Sequence, residues 1–268
     1  MKIKPRLSLA FAFACLFTLT MPVSVLAESG ASVTDEDLLL ARNPIIIKSR
    51  LRLANEFTDV GGGGNRDKLI LGGVYGFGFN GHDREFGIAF ELPFLNNNPK
   101  GGDSDCGVGD FKLRCGQLFT DYPKGWRSGW FFETEFDTAA DDVRAIANQR
   151  TQMAFGGGAS YALWNNFVLT STLQYGWSLN DGETTGEKSE WEAHLTATAK
   201  VSECVAINLD YKAVINTVDG TTLFNTLEPS VSWTVGAKKN IGLFASLELP
   251  LDDTGSNWIA KIGTAWFF

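Results

Sequence analysis

The chain has 268 residues, 44% of them hydrophobic, and its 31 acidic and 23 basic residues leave a net charge of −8. An acidic chain with two histidines argues against a nucleic-acid partner. Mean hydropathy is close to neutral, which suits a soluble protein but also a membrane barrel, where one face of each strand meets lipid and the other meets water.

At the N-terminus, Lys2, Lys4 and Arg6 form a basic n-region, Leu7 to Leu19 an apolar h-region, and Val25-Leu26-Ala27 a small-residue cleavage site. The pattern predicts a secretory signal peptide over residues 1–27; Pro22 and the short h-region count against an uncleaved helical anchor. Cys15 lies inside the h-region and not after a lipobox, so no lipoprotein is expected. Residues 28–43 form a short periplasmic or lumenal segment, in which Asp35 to Ala41 can make one helical turn.

From residue 44 to 268 the chain alternates with period 2. Ile45, Ile47, Leu51 and Leu53 stand opposite Lys48, Arg50 and Arg52; Leu69, Leu71, Tyr75 and Phe77 follow; Phe86, Ile88, Phe90, Leu92 and Phe94 stand opposite Glu85 and Glu91. Leu113 and Cys115 then oppose Lys112 and Arg114, and Trp130 and Phe132 oppose Glu133 and Glu135. An uncharged hairpin turns at Asn165-Asn166, since its glycines make it a poor transmembrane helix. Trp191 and Leu195 oppose Glu190, Glu192 and His194; Ile207 and Leu209 oppose Asp210 and Lys212. Segments around Val231 and Leu247 precede a last strand carrying Trp258, Ile262, Trp266 and the terminal Phe268.

These segments predict an all-β fold: a transmembrane antiparallel up-and-down β-barrel of about twelve strands, bacterial outer-membrane type, spanning residues 44–268. Longer polar connections such as Asn96–Gly109, Thr138–Arg150 and Asn180–Ser189 alternate with tight turns, which predicts long outer loops and both termini in the periplasm. The expected partners are outer-membrane lipids and the barrel-assembly machinery, which would read Trp266 and Phe268 as its signal. A soluble β-sandwich would alternate too, but would not need so many outward aromatics. Cys106 in an outer loop, Cys115 in the wall and Cys204 at the periplasmic rim are too far apart to bridge.

Gly107-Val108-Gly109-Asp110-Phe111-Lys112-Leu113-Arg114 opens an alternating strand. With the strand from Trp130 to Thr138 and the glycine-rich one from Phe155 to Tyr161, it resembles the outer-membrane transporter family labelled "MetA-pathway of phenol degradation" over roughly residues 70–268. The chain departs from that pattern at Asp137-Thr138, where a proline is expected before the threonine. The resemblance implies a barrel passing small, aromatic solutes among them, and supplies no catalytic residues.

No phosphate loop is present at Gly61 to Gly64, because the Lys-Ser/Thr ending is missing, and Gly107-x-Gly-Asp reads as a tight strand entry or bulge. A barrel enzyme would need a serine beside His82 or His194, and neither has one at a persuasive position; no catalytic residue, cofactor or metal is expected. The lumen charges carry the functional expectation. Lys112 and Arg114 should pair across adjacent strands with Glu85 and Glu91 on one side and Glu133 and Glu135 on the other. Lys48, Arg50 and Arg52, joined by Lys261 on closure, should form a basic stripe facing Glu190, Glu192 and Asp210, with His194 in the lumen beside Glu190 and Glu192. Such a transverse field would orient dipolar or anionic solutes in passive passage. The alternatives are a lumen packed shut by salt links, and a structural or adhesive barrel acting through its loops.

Overall fold

The computed structural model describes residues 49–60, 64–78, 86–119, 126–147, 150–180, 189–217, 222–235, 240–252 and 256–268. The expected signal peptide, the 28–43 segment, Lys48, His82 and Glu85 lie outside the described residues.

The alternating segments form β1 (Arg50–Val60), β2 (Gly64–Phe77), β3 (Phe86–Asn98), β4 (Asp105–Val108), β5 (Lys112–Phe119), β6 (Trp126–Glu135), β7 (Gln152–Trp164), β8 (Phe167–Ser178), β9 (Ser189–Ser202), β10 (Val205–Asn216), β11 (Thr222–Val235), β12 (Ile241–Pro250) and β13 (Ser256–Phe267). A single 3-10 turn, Asp141–Ile146, follows β6. The described strands pair antiparallel with their neighbours, and β1 pairs with both β2 and β13, so the sheet closes on itself. Closure removes free edges, so backbone N–H and C=O groups are satisfied within the wall; that is the condition for crossing lipid with strands.

β4 and β5 both pair with β3, one beyond the other: Leu95 faces Gly107 and Glu91 faces Lys112. They occupy one place in the wall, so the described segments make a twelve-position barrel. The interruption has a local cause. The Asp110 carboxylate accepts the backbone N–H groups of Thr138 (2.9 Å) and Ala139 (3.0 Å), and the Thr138 hydroxyl accepts the N–H of Phe111 (2.9 Å). The 3-10 turn then packs Val143, fully buried, against Gly107, where a Cβ would lie 3.1 Å from Ala140 and 3.2 Å from Val143. Gly107-x-Gly-Asp therefore anchors the segment after β6 and is more than a strand entry.

Strands run further toward the loop end than hydrophobic alternation shows. β3 continues to Asn98 and pairs with β4, which shortens the connection expected over Asn96–Gly109 to 99–104 and puts Cys106 in a strand instead of a loop. The pairing there is polar: Asn98 Nδ2 donates to Asn65 Oδ1 at 3.0 Å. Polar strand ends need no apolar face once they pass the lipid boundary. The expected contrast of loop lengths holds for 136–151 and 179–188 but not for the β1–β2 connection, which spans only 61–63.

The two faces sort by chemistry. Leu51, Leu53, Leu71, Ile88, Leu209, Ile262 and Trp266 are all exposed on the outside, Ile262 by 62%. A contiguous apolar belt of this kind is a lipid-facing surface. Trp266 and Phe268 meet on it at 5.4 Å, beside the chain terminus. The inner face carries Arg, Lys, Glu, Asp, Asn and Thr, several of them nearly inaccessible: Asn208 1%, Thr170 2%, Glu228 5% and Asp210 7%.

Candidate functional site

Strand register sets the lumen charges out in rows. One row runs Arg50, Val74, Ala89, Arg114, Glu133; the next runs Arg52, Gly72, Glu91, Lys112, Glu135. Cross-strand neighbours lie about 5 Å apart and share a face. Lys112 Nζ sits 2.9 Å from Glu135, and the Arg114 guanidinium bonds Glu133 through both Nε and Nη2, as opposite charges on adjacent strands should. Arg52 has only Gly72 beside it on β2. With no side chain in the way it reaches over to Glu91 on β3, at 3.6 Å.

Phenyl rings line the same region. Arg52 lies 5.3 Å from the Phe244 ring centre and Arg114 5.0 Å from that of Phe131, both in cation–π range. Phe131 lies against Gly156, where a Cβ would come within 2.6 Å of its ring, and Phe267 lies against Gly242, where a Cβ would come within 2.9 Å. Glycine in the wall gives the inward rings room to lie flat.

On the far side, β9 to β13 carry a second charge network. Lys261 Nζ bonds Glu228 (2.9 Å) and Glu248 (2.5 Å), and Lys212 bonds Glu248 (3.1 Å). His194 donates from or accepts at both ring nitrogens: Nδ1 to Asp210 at 2.8 Å, Nε2 to Glu192 at 2.7 Å. Thr196 donates to the other Asp210 oxygen at 2.6 Å. The hydroxyl bonds the carboxylate and not the imidazole, and both imidazole nitrogens already hold carboxylates. This arrangement lacks the hydroxyl-to-imidazole contact that nucleophilic catalysis requires.

One sequence expectation changes here. Lys261 does not join the Arg50–Arg52 stripe: β1–β13 register sets it opposite Glu56, six residues along β1 from Arg50, and its ammonium turns to Glu228 and Glu248. Glu190 shares the face of Glu192 and His194 but sits one step nearer the loop end. Glu190 stands opposite Gly176 and Asn216 near the loop end, while Asp210 completes the His194 pairings.

A cavity of about 500 Å³ lies between the two networks. Arg50, Arg52 and Arg114 form one side, and Thr172, Gln174, Glu192 and His194 the other, with Phe131, Phe244 and Phe267 between. Glu228, Glu248 and these three phenylalanines were not among the residues expected to matter. Glu228 and Glu248 were legible, since each sits between two apolar outward residues, as in Leu247-Glu248-Leu249. Phe131 and Phe267 were hidden inside Trp130-Phe131-Phe132 and Trp266-Phe267-Phe268, where three aromatics in a row conceal which one points inward.

No family model matches the chain, and no curated protein matches its sequence. Solved structures do match. An outer membrane channel from Pseudomonas putida F1 is 13% identical, with 85% of this chain and 97% of that one covered at a TM-score of 0.66. The likeness is one of fold. The NanC porin is 9% identical over 82% of this chain and all of its own, at a TM-score of 0.57. The outer membrane phospholipase A from Escherichia coli is 11% identical over 86% of this chain and 95% of its own, at 0.51. One barrel architecture thus serves both channels and an enzyme, so function must be argued from the lumen.

Proposed function

We propose that this protein is an outer-membrane channel for the passive passage of small solutes, anionic and aromatic ones among them. The observation that carries the reading is the polar cavity inside a closed lipid-facing wall, with Arg50, Arg52 and Arg114 beside Glu91, Lys112 and Glu133 on one side and hydroxyl, amide, imidazole and carboxylate groups on the other. Charges lining a narrow passage set which ions enter and how dipolar solutes turn. Arg50, Arg52, Lys112, Arg114, Glu133 and Glu135 supply the near side of that field, and Glu190, Glu192, His194 and Asp210 the far side. Both termini would face the periplasm, with Trp266 and Phe268 read by the barrel-assembly machinery during insertion. The resemblance to the "MetA-pathway of phenol degradation" transporters and the fold shared with a Pseudomonas channel both support this reading. No enzyme activity, cofactor or metal is part of it.

A structural barrel that conducts nothing is the second reading, favoured by the buried Lys261–Glu228–Glu248 cluster, whose side chains are only 6 to 11% exposed. Planar-bilayer recording of the purified full-length mature protein separates the two. Discrete conductance steps support the channel; a silent bilayer with correctly folded barrel overturns it.

A further inference from the structure

The two charge rows differ by one carboxylate, Glu91, where the other row has Ala89. In the row Arg52, Gly72, Glu91, Lys112, Glu135 the two cations match two carboxylates. In the row Arg50, Val74, Ala89, Arg114, Glu133 two cations share one carboxylate, and Arg114 holds it. Arg50 is flanked by Val74 on β2 and by the Phe267 ring on β13. Among the described residues it has no carboxylate within ion-pair distance; Arg52 and Arg114 act on it as like charges, and Glu91 attracts it only from beyond that distance. A guanidinium largely removed from water between two apolar neighbours and two cations lacks a directly paired counter-ion, and the cavity is where one would come from.

The opposite side of the cavity says what else the solute carries. β8 stands six wall positions from β1, diametrically across the barrel. It points Thr172 and Gln174 into the same cavity that Arg50 lines. A solute reaching both sides would offer a carboxylate to Arg50 and hydroxyls to Thr172 and Gln174. We propose that the cavity is a binding station for a small hydroxylated carboxylate, with Arg50 as its anion anchor. The proposal rests on the channel reading and names the solute class that the passage favours. The guanidinium gives a carboxylate two parallel N–H donors, a geometry that chloride cannot use. The hydroxyl and amide groups across the lumen then separate a polyhydroxy acid from a plain one.

Single-channel recording in potassium chloride tests this with three probes: acetate, gluconate and glucose. Wild-type openings should be blocked most by gluconate, less by acetate and least by glucose. Arg50→Gln should weaken gluconate block by about tenfold, the loss expected for one charge-assisted contact. Thr172→Val with Gln174→Leu should bring gluconate block down to the level of acetate block. Gluconate block that survives Arg50→Gln would overturn the anchor, and equal block by acetate and gluconate in wild type would overturn the hydroxylated class. Arg50→Lys, which keeps the charge without the fork, should fall between wild type and Arg50→Gln and shows that the barrel still folds. A wild-type bilayer without steps would instead sink the channel reading beneath it.

Discussion

The two halves of the lumen wall hold their charges in different ways. On β9 to β13 the ions are packed: Lys261, Glu228 and Glu248 are 11%, 6% and 8% exposed and bond one another. On β1 to β6 they are wetter: Arg52 and Glu91 are 29% and 41% exposed and 3.6 Å apart. The first half is built as interior, where each charge must be matched because removing a partner strands the other. The second half holds close pairs at Lys112–Glu135 and Arg114–Glu133 but a loose, wetter one at Arg52–Glu91, which contributes little to stability. On the channel reading proposed above, the packed wall would give the barrel its rigidity and the arginine wall its selectivity.

This contrast makes graded predictions. Lys261→Met should be the most damaging lumen change, because it leaves Glu228 and Glu248 buried with one lysine fewer. A loss of about 3–5 kcal/mol is expected in urea unfolding followed by tryptophan fluorescence in lipid vesicles. Adding Glu228→Gln and Glu248→Gln to that variant should recover most of it, and no recovery would mean that Lys261 acts by packing alone. On the outer face, Leu209→Arg sets a charge on the exposed apolar belt and should cost up to about 2–4 kcal/mol in the same assay. If it costs nothing, the belt is not where lipid lies.

Gly156→Ala tests the inward rings. A Cβ there would come within 2.6 Å of Phe131, 2.7 Å of the Gln174 side chain and 2.8 Å of the Leu173 carbonyl, and overpacking of this kind costs about 1–3 kcal/mol. Arg52→Gln should be the mildest for stability, about 0–1 kcal/mol, because the Arg52–Glu91 pair is half exposed. Its effect should appear in ion preference instead of in unfolding.

How far these features could be read from sequence follows from the same physics. A period of 2 with apolar residues outside is required of every membrane strand, so the wall was legible from Leu51 to Phe268. Strand register was not. Only the β1–β13 pairing reveals that Lys261 stands by Glu56 and not beside Arg50, because closing a barrel shifts the last strand along the first. The Arg114–Glu133 and Lys112–Glu135 pairs were legible because their strands are sequence neighbours, whereas Arg52–Glu91 depends on Gly72 leaving a gap between β1 and β3. Polar strand ends such as Asn96 to Asn98 carry no alternation, so their pairing with β4 had no sequence signal.

The most direct test of the account is the zero-current potential of the reconstituted protein across a tenfold potassium chloride gradient. The arginine wall predicts a potential on the anion-preferring side for wild type, moving toward the cation side in Arg50→Glu with Arg52→Glu. A wild-type potential that these two changes leave where it was would show that the arginine wall does not govern the passage.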